Sequence, residues 1–173
     1  MADMLAQSGI SGIALDVTSG QVSHVPATHH SEALSAGLSF GGYLTPAENG
    51  MHELGATFDR SGAMDLTDAA TEHNLQLLPE ALRAMFADVD QDMITGRVSQ
   101  RASTPDRNPV MGRIGAGGHG VFVLGALGAR GFTVAPLLGD MLAAEIMGRP
   151  VSLEPKTRQL LDPFRFRMRA SRL

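Results

Sequence analysis

The chain has 173 residues, 43% hydrophobic and 18% charged, with a formal net charge of −4. That is enough chain for a domain with its own core, too apolar for disorder, and without the global positive charge that would point to nucleic acid or an anionic membrane. With no cysteine present, disulfides, zinc–thiolate sites and a cysteine nucleophile are excluded.

The start, "MADMLAQSGISGIALD", lacks a basic segment followed by a long apolar one, and no apolar run reaches the length of a membrane span. The expectation is a cytoplasmic globular protein. "SGIALDV" and "GQVSHV" read as short strands separated by a turn at Thr18, Ser19 and Gly20. "LSFGGYLTP" and "HELGATF" flank "AENG", where Asn49-Gly50 is a strong hairpin signal. From Asp65 the period changes, with Leu75, Leu78, Leu82 and Phe86 at helical spacing. Pro79 cannot sit comfortably inside a helix, so two helical pieces are expected, the second starting at the proline.

"MITGRVSQRAS" reads as a further strand, "TPDRNPVMG" as a turn-rich loop and "GVFVLG" as a short buried strand. "TVAPLLGDMLAAEIMG" is an apolar-faced helix closed by Gly148, with Pro150 just beyond. The last stretch, "DPFRFRMRASRL", is basic and reads as weakly structured, its arginines at 165, 167, 169 and 172 suiting a solvated tail more than an RNA contact.

Two motif matches fail on context. "GAGGHG", Gly115 to Gly120, fits G-x-G-x-x-G but precedes its strand instead of following one, so it reads as a connecting loop. "GLSFG" fits the nucleophile-elbow pattern around Ser39, yet a hairpin signal follows where a helix is required. The six histidines show no metal-binding spacing, and no metal site is expected.

Taken in order, "GQVSHVP", "GGYLTP", "GATFDR", "HN" at 73–74, "RASTPDRNPVMG" and "GALGARGFTVAPLLGDMLAAEI" resemble the D-amino-acid oxidase/glycine oxidase family of FAD-dependent oxidoreductases. "GQVSHVP" with "GYLTP" points to its tRNA-modifying branch. The resemblance implies an α+β fold: a mixed, mainly antiparallel sheet with helices forming the substrate domain, plus the last strand and helix of the flavin-binding domain. It divides the chain into a poorly matched segment 1–19, a substrate domain 20–106, the C-terminal part of the FAD-binding domain 107–150 and a basic tail 151–173. The family's N-terminal strand–glycine loop–helix unit, which grips the ADP portion of FAD, has no counterpart here. The chain therefore resembles the C-terminal piece of a larger enzyme, with a dinucleotide-binding half expected in the same or another chain.

By the same resemblance, the turn matching "GALGARGFT" lies beside the flavin ring, which nominates Gly128, Ala129, Arg130, Gly131, Phe132 and Thr133 as cofactor-binding residues. Backbone N–H groups and a helix dipole at that turn would stabilise the negative charge of a reduced flavin. Gly131 is the position at which the backbone is expected to close on the ring, with strain added to any side chain if its φ is positive. Arg101 matches a family arginine that holds the substrate carboxylate, a task suited to a planar guanidinium fork. Tyr43 matches a strand whose aromatic ring borders the active site. These two are the catalytic candidates. The implied reaction is oxidation of a secondary amine R–CH₂–NH–CH₂–COO⁻, in the tRNA-modifying branch the carboxymethylaminomethyl group of the wobble uridine. The alternatives are oxidation of a free amino acid such as glycine or sarcosine, and a non-catalytic fragment unable to hold FAD.

Overall fold

The computed structural model describes residues 11–114 and 120–170. They form two compact units, Thr18–Gln100 and a second made from the residues up to Val17 together with Arg101 onward. "GAGGHG", apart from Gly120, and the first ten residues lie outside the described residues.

In the Thr18–Gln100 unit a sheet is ordered β2-β3-β4-β1-β5. Its strands are β1 (Asp16–Pro26), β2 (Leu38–Ser39), β3 (Tyr43–Leu44), β4 (Met51–Gly55) and β5 (Thr95–Ser103). The pairs β1/β4, β2/β3 and β3/β4 are antiparallel. Asn49 (φ 52°) and Gly50 (φ 79°) are both left-handed between Glu48 and Met51, which exchange backbone hydrogen bonds at 2.9 and 3.1 Å. Two successive positive φ values define the type I′ hairpin turn that Asn-Gly favours.

The expected turn at Thr18–Gly20 does not exist. β1 runs through it as one strand of 11 residues. Ser19 is 1% exposed and exchanges backbone hydrogen bonds with Asp59 at 2.8 and 2.9 Å, so its small side chain marks a buried crossing point and not a bend.

The helical stretch breaks where the proline requires it. α1 (Asp68–Leu77) is capped by Thr67, whose hydroxyl accepts from the Ala70 N–H, and α2 (Glu80–Arg83) follows Pro79. Arg83 Nη2 donates to the carbonyls of Gln76 and Leu78 at 3.0 Å each, satisfying the end of α1. Polar contacts fix α1 on β1. Gln21 donates to Thr71 Oγ1 and the Thr67 carbonyl and accepts from the Thr67 N–H, while buried Asn74 donates to the Gln21 carbonyl and to Ser23 Oγ. Val25, Leu44, Leu54, Leu78 and Phe86 form the core beside them. His52, fully buried, lies 2.7 Å from the Thr45 carbonyl at Nδ1 and 2.8 Å from Ser31 Oγ at Nε2. A carbonyl only accepts, so Nδ1 carries the proton and Nε2 accepts from Ser31, a structural role.

The second unit is built on the antiparallel hairpin β6 (Val110–Arg113) and β7 (Phe122–Gly125). Neighbouring residues on β6 point to opposite faces. Val110 packs with Val123 and Ala126 on one, and Met111 packs with Leu138 of α3 (Gly131–Ile146) and Leu161 of α4 (Pro155–Leu161) on the other.

Residues 155–170 are folded, which differs from the weakly structured reading of the last stretch, whose residues 171–173 lie outside the described residues. α5 (Arg165–Ala170) follows α4, and Arg165 is 3% exposed. Its Nε and Nη2 donate to the two carboxylate oxygens of Asp106 at 3.0 and 2.7 Å, and its remaining N–H groups reach the carbonyls of Asn108, Pro109 and Asp162. A tail rich in arginine looks solvated until one of them is buried against a carboxylate.

The Arg165 guanidinium holds the Asp106 carboxyl far below its ordinary value of 3.8, with further hydrogen bonds from the Asn108 N–H and Thr104 hydroxyl. Because the folded value is the lower one, the pair contributes its full stability above about pH 4 and loses it as pH falls toward the folded value. Arg165→Met leaves a half-buried carboxylate without its cation and three carbonyls without their donor, and is expected to cost about 3 kcal/mol in urea unfolding at pH 7. In Asp106→Asn, the part of the acid-induced stability loss that begins below about pH 4 should disappear.

Candidate functional site

The turn between β7 and α3 begins with an anomaly. Ala126, buried at 6% exposure and lacking the freedom of glycine, has φ 51°. Leu127 returns to φ −68° and Gly128 is again positive at 59°. Alternation of left- and right-handed residues turns successive backbone N–H groups toward one side, the concave arrangement that receives anions and carbonyl oxygens. A non-glycine residue held left-handed costs on the order of 1 kcal/mol or more and persists where surrounding structure imposes it. Here β7 packing of Ala126 against Val110 and Val123 imposes it.

After this turn, Gly128–Arg130 form one turn of 3₁₀ helix that runs into α3. No side chain caps either helical start, and the first turn of α3 holds no acidic residue. The positive end of a 16-residue helix is therefore left to whatever approaches it. Thr133 is exposed and Phe132 fully so, at 104%. A β-carbon on Gly128 would meet nothing within 4 Å. These features fit a flat, electron-rich ring system laid against the turn, and Gly128, Arg130, Gly131, Phe132 and Thr133 are the residues at hand to hold it, with the backbone of Ala129.

One expectation changes. Gly131 is not left-handed: its φ is −52°, ordinary helical backbone, and an added β-carbon would lie 3.4 Å from Leu127 Cβ, an ordinary contact. The conformational demand falls on Ala126 and Gly128 instead. A sequence shows which glycines are present, not which one carries the positive φ.

Arg130 also lines a groove of about 250 Å³ with Asn108, Pro109, Val134, Leu137, Leu138 and Met141 among its walls. "TPDRNPVMG" and "GARGFTVAPL", read separately in the sequence, meet there. Arg101 lies in the same unit near the end of β5, half-buried, and lines neither this groove nor the one between β6 and α4. Tyr43 is on β3 in the Thr18–Gln100 unit. It pairs across the strands with Gly55, and its ring lies beside that glycine: a β-carbon there would lie 3.5 Å from the hydroxyl, an ordinary contact. Ser39, at the second residue of β2, has no helix after it. Among the described residues no group of three His, Cys, Asp or Glu side chains could hold a metal ion, and no helix is long and apolar enough to cross a membrane.

Comparison with known proteins gives the family. The chain belongs to the FAD-dependent oxidoreductase family, whose model matches residues 2–145. It is 41% identical over 136 residues to the tRNA 5-methylaminomethyl-2-thiouridine biosynthesis bifunctional protein of Caulobacter sp. (strain K31), covering 77% of this chain and 22% of that protein. Its counterpart in Aeromonas salmonicida is 35% identical, covering 87% of this chain and 26% of that protein. The chain thus spans about a quarter of the curated relatives it matches. In fold it is similar to glycine oxidase from Geobacillus kaustophilus, with a TM-score of 0.69 at 18% identity, covering 91% of this chain and 41% of that one. Iminodiacetate oxidase from Chelativorans sp. BNC1 gives 0.63 at 23%, again over 91% of this chain.

The two glycines are separable by experiment. Gly128→Val should lower stability by about 1 kcal/mol or more through its positive φ alone. Gly131→Ala should be neutral or stabilising by up to about 1 kcal/mol, since the helix gains propensity and the backbone is already helical. Urea midpoints of the two variants without FAD check this ordering.

Proposed function

We propose that this chain is the substrate-binding and C-terminal flavin-facing portion of an FAD-dependent amine oxidase that removes the carboxymethyl group from carboxymethylaminomethyl-uridine at the tRNA wobble position. The observation that carries the reading is the Ala126–Gly128 turn feeding an uncapped helix. It is a site for developing negative charge built from backbone alone. The tRNA assignment draws on the names of the curated relatives, which this chain matches over most of its own length. A tRNA substrate implies work in the cytoplasm.

Bound FAD supplies the hydride acceptor in this chemistry. The chain's own residues position and polarise. The turn's N–H groups and the α3 dipole favour negative charge at the ring edge they face. Arg101 donates two parallel hydrogen bonds to the substrate carboxylate, fixing the α-carbon in one orientation. By the family resemblance, Tyr43 would border the substrate. No strong side-chain base is assigned, because orientation and electrostatics supply the catalysis.

We infer that the ADP portion of FAD is held by a dinucleotide-binding half outside these 173 residues. α3 supports this. Of its residues Leu138 alone is recorded as buried, while Phe132, Leu137 and Ile146 are 104%, 59% and 56% exposed. A helix this apolar and this uncovered suits the inside of a larger domain.

The deciding experiment combines the chain with the dinucleotide-binding half, adds FAD and tRNA, and follows the modified nucleosides by mass spectrometry. Loss of carboxymethylaminomethyl-uridine with gain of the aminomethyl form is the expected result. Turnover of glycine or sarcosine with untouched tRNA overturns the tRNA assignment. The isolated chain should bind FAD more weakly than about micromolar, because the phosphate-cradling turn contributes most of a dinucleotide's grip. In the combined enzyme, Arg101→Ala should raise KM more than it lowers kcat, costing about 2–4 kcal/mol of substrate binding, with Lys recovering part.

A further inference from the structure

Charge is divided unevenly between the two units. Thr18–Gln100 holds eleven Asp and Glu against three Lys and Arg, net −8, while the rest of the chain holds seven against eleven, net +4. The overall charge of −4 hides this division. Two of the three cations in the acidic unit are engaged internally. Arg83 satisfies the end of α1, and Arg97 lies 3.5 Å from Glu53.

In the basic unit, Arg113 of β6 and Arg158 of α4 line a groove of about 240 Å³ together with Phe164. Arg167 donates from Nη2 to the Ser11 carbonyl and stacks its guanidinium over the Phe164 ring at 4.6 Å, two contacts that hold the cation in place at this surface. Glu145 and Asp162 also line the groove, but both are half-buried, and Asp162 accepts the Phe164 N–H at 2.7 Å. Arg113, Arg158 and Arg167 are exposed. On this face the cations are the more exposed charges.

We propose that the face carrying Arg113, Arg158 and Arg167 contacts the phosphate backbone of the RNA substrate, and that the Thr18–Gln100 unit makes no phosphate contacts. The inference rests on the tRNA reading above. Phosphate contacts supply most of the sequence-independent affinity for nucleic acid, and they require cations that reach solvent. A unit of net −8 repels phosphate, whereas exposed guanidinium groups beside a groove match it bidentately.

The test uses the full chain and a fluorescein-labelled RNA hairpin, with anisotropy measured from roughly 50 to 200 mM salt. Arg113→Glu/Arg158→Glu should weaken binding more than about tenfold and lower the slope of log K against log salt by about two. Arg60→Glu/Arg97→Glu, in the acidic unit, should stay within about twofold. Urea midpoints verify folding, and the double alanine variant at 113 and 158 serves if charge reversal disrupts it. An unchanged slope in the 113/158 variants, an equal loss in the 60/97 variant, or no RNA binding by the unaltered chain would each overturn the proposal. Nucleoside analysis separates it from the reading beneath it. Intact RNA affinity through these arginines without wobble-uridine oxidation sinks the tRNA reading alone, and oxidation that survives their reversal sinks this surface alone.

Discussion

A guanidinium removed from water must find an acceptor for every N–H within its own chain, and Arg165 does. All five N–H groups converge on Asp106 and on three carbonyls drawn from the loop before β6 and the turn before α5. The cost of burying the charge is repaid only because nothing is left unmatched. The consequence reaches beyond the pair. Asn108 and Pro109 supply two of the carbonyls and also wall the groove that Arg130 lines. Fixing the loop from Thr104 to Pro109 therefore fixes one side of that groove and the entry into β6. The C-terminal helix is a strut for the candidate site and not an appendage.

The Thr18–Gln100 unit solves a comparable problem with neutral groups. Gln21 and Asn74 make several buried hydrogen bonds between β1 and α1 without bringing a charge inside. A neutral amide tolerates an imperfect match better than a charge does, and Asn74 Oδ1 is left without a partner. This unit thereby keeps its charges on the outside, where they accumulate as a negative surface. The opposite solution in the other unit keeps one arginine inside and spreads the others over its surface.

What the sequence revealed depended on how local the cause was. Asn49-Gly50 and Pro79 act through their own dihedral angles, so the hairpin and the helix break were legible from single residues. The α+β fold and the family were legible because several stretches matched in order. The continuity of β1 was not, because Ser19 and Gly20 look like a turn unless the partner strand segment at Asp59 is known. Arg165 was hidden for the same reason. Its partner lies 59 positions away, and one arginine among four carries no mark of burial. In the turn before α3 the glycines were readable and their conformation was not.

That last difference changes what the glycines are for. Had Gly131 carried the positive φ, the close approach of a ring would depend on one permissive residue at the helix start. Instead the left-handed residues are Ala126 and Gly128, upstream of the helix. Ala126 has a side chain and pays its strain into the packing with Val110 and Val123. The core of the β6/β7 hairpin thus holds the backbone where the turn begins. Stability of the core and electrostatics of the site are coupled through one strained alanine. Gly128 then needs no packing partner, since nothing lies within 4 Å of where its side chain would be. Its freedom keeps that side of the turn open, and Gly131 continues the open surface into a helix whose first N–H groups no side chain competes for. The sparse side chains of "GALGARG" thus serve two ends, a backbone bent by the core on one side and bare on the other.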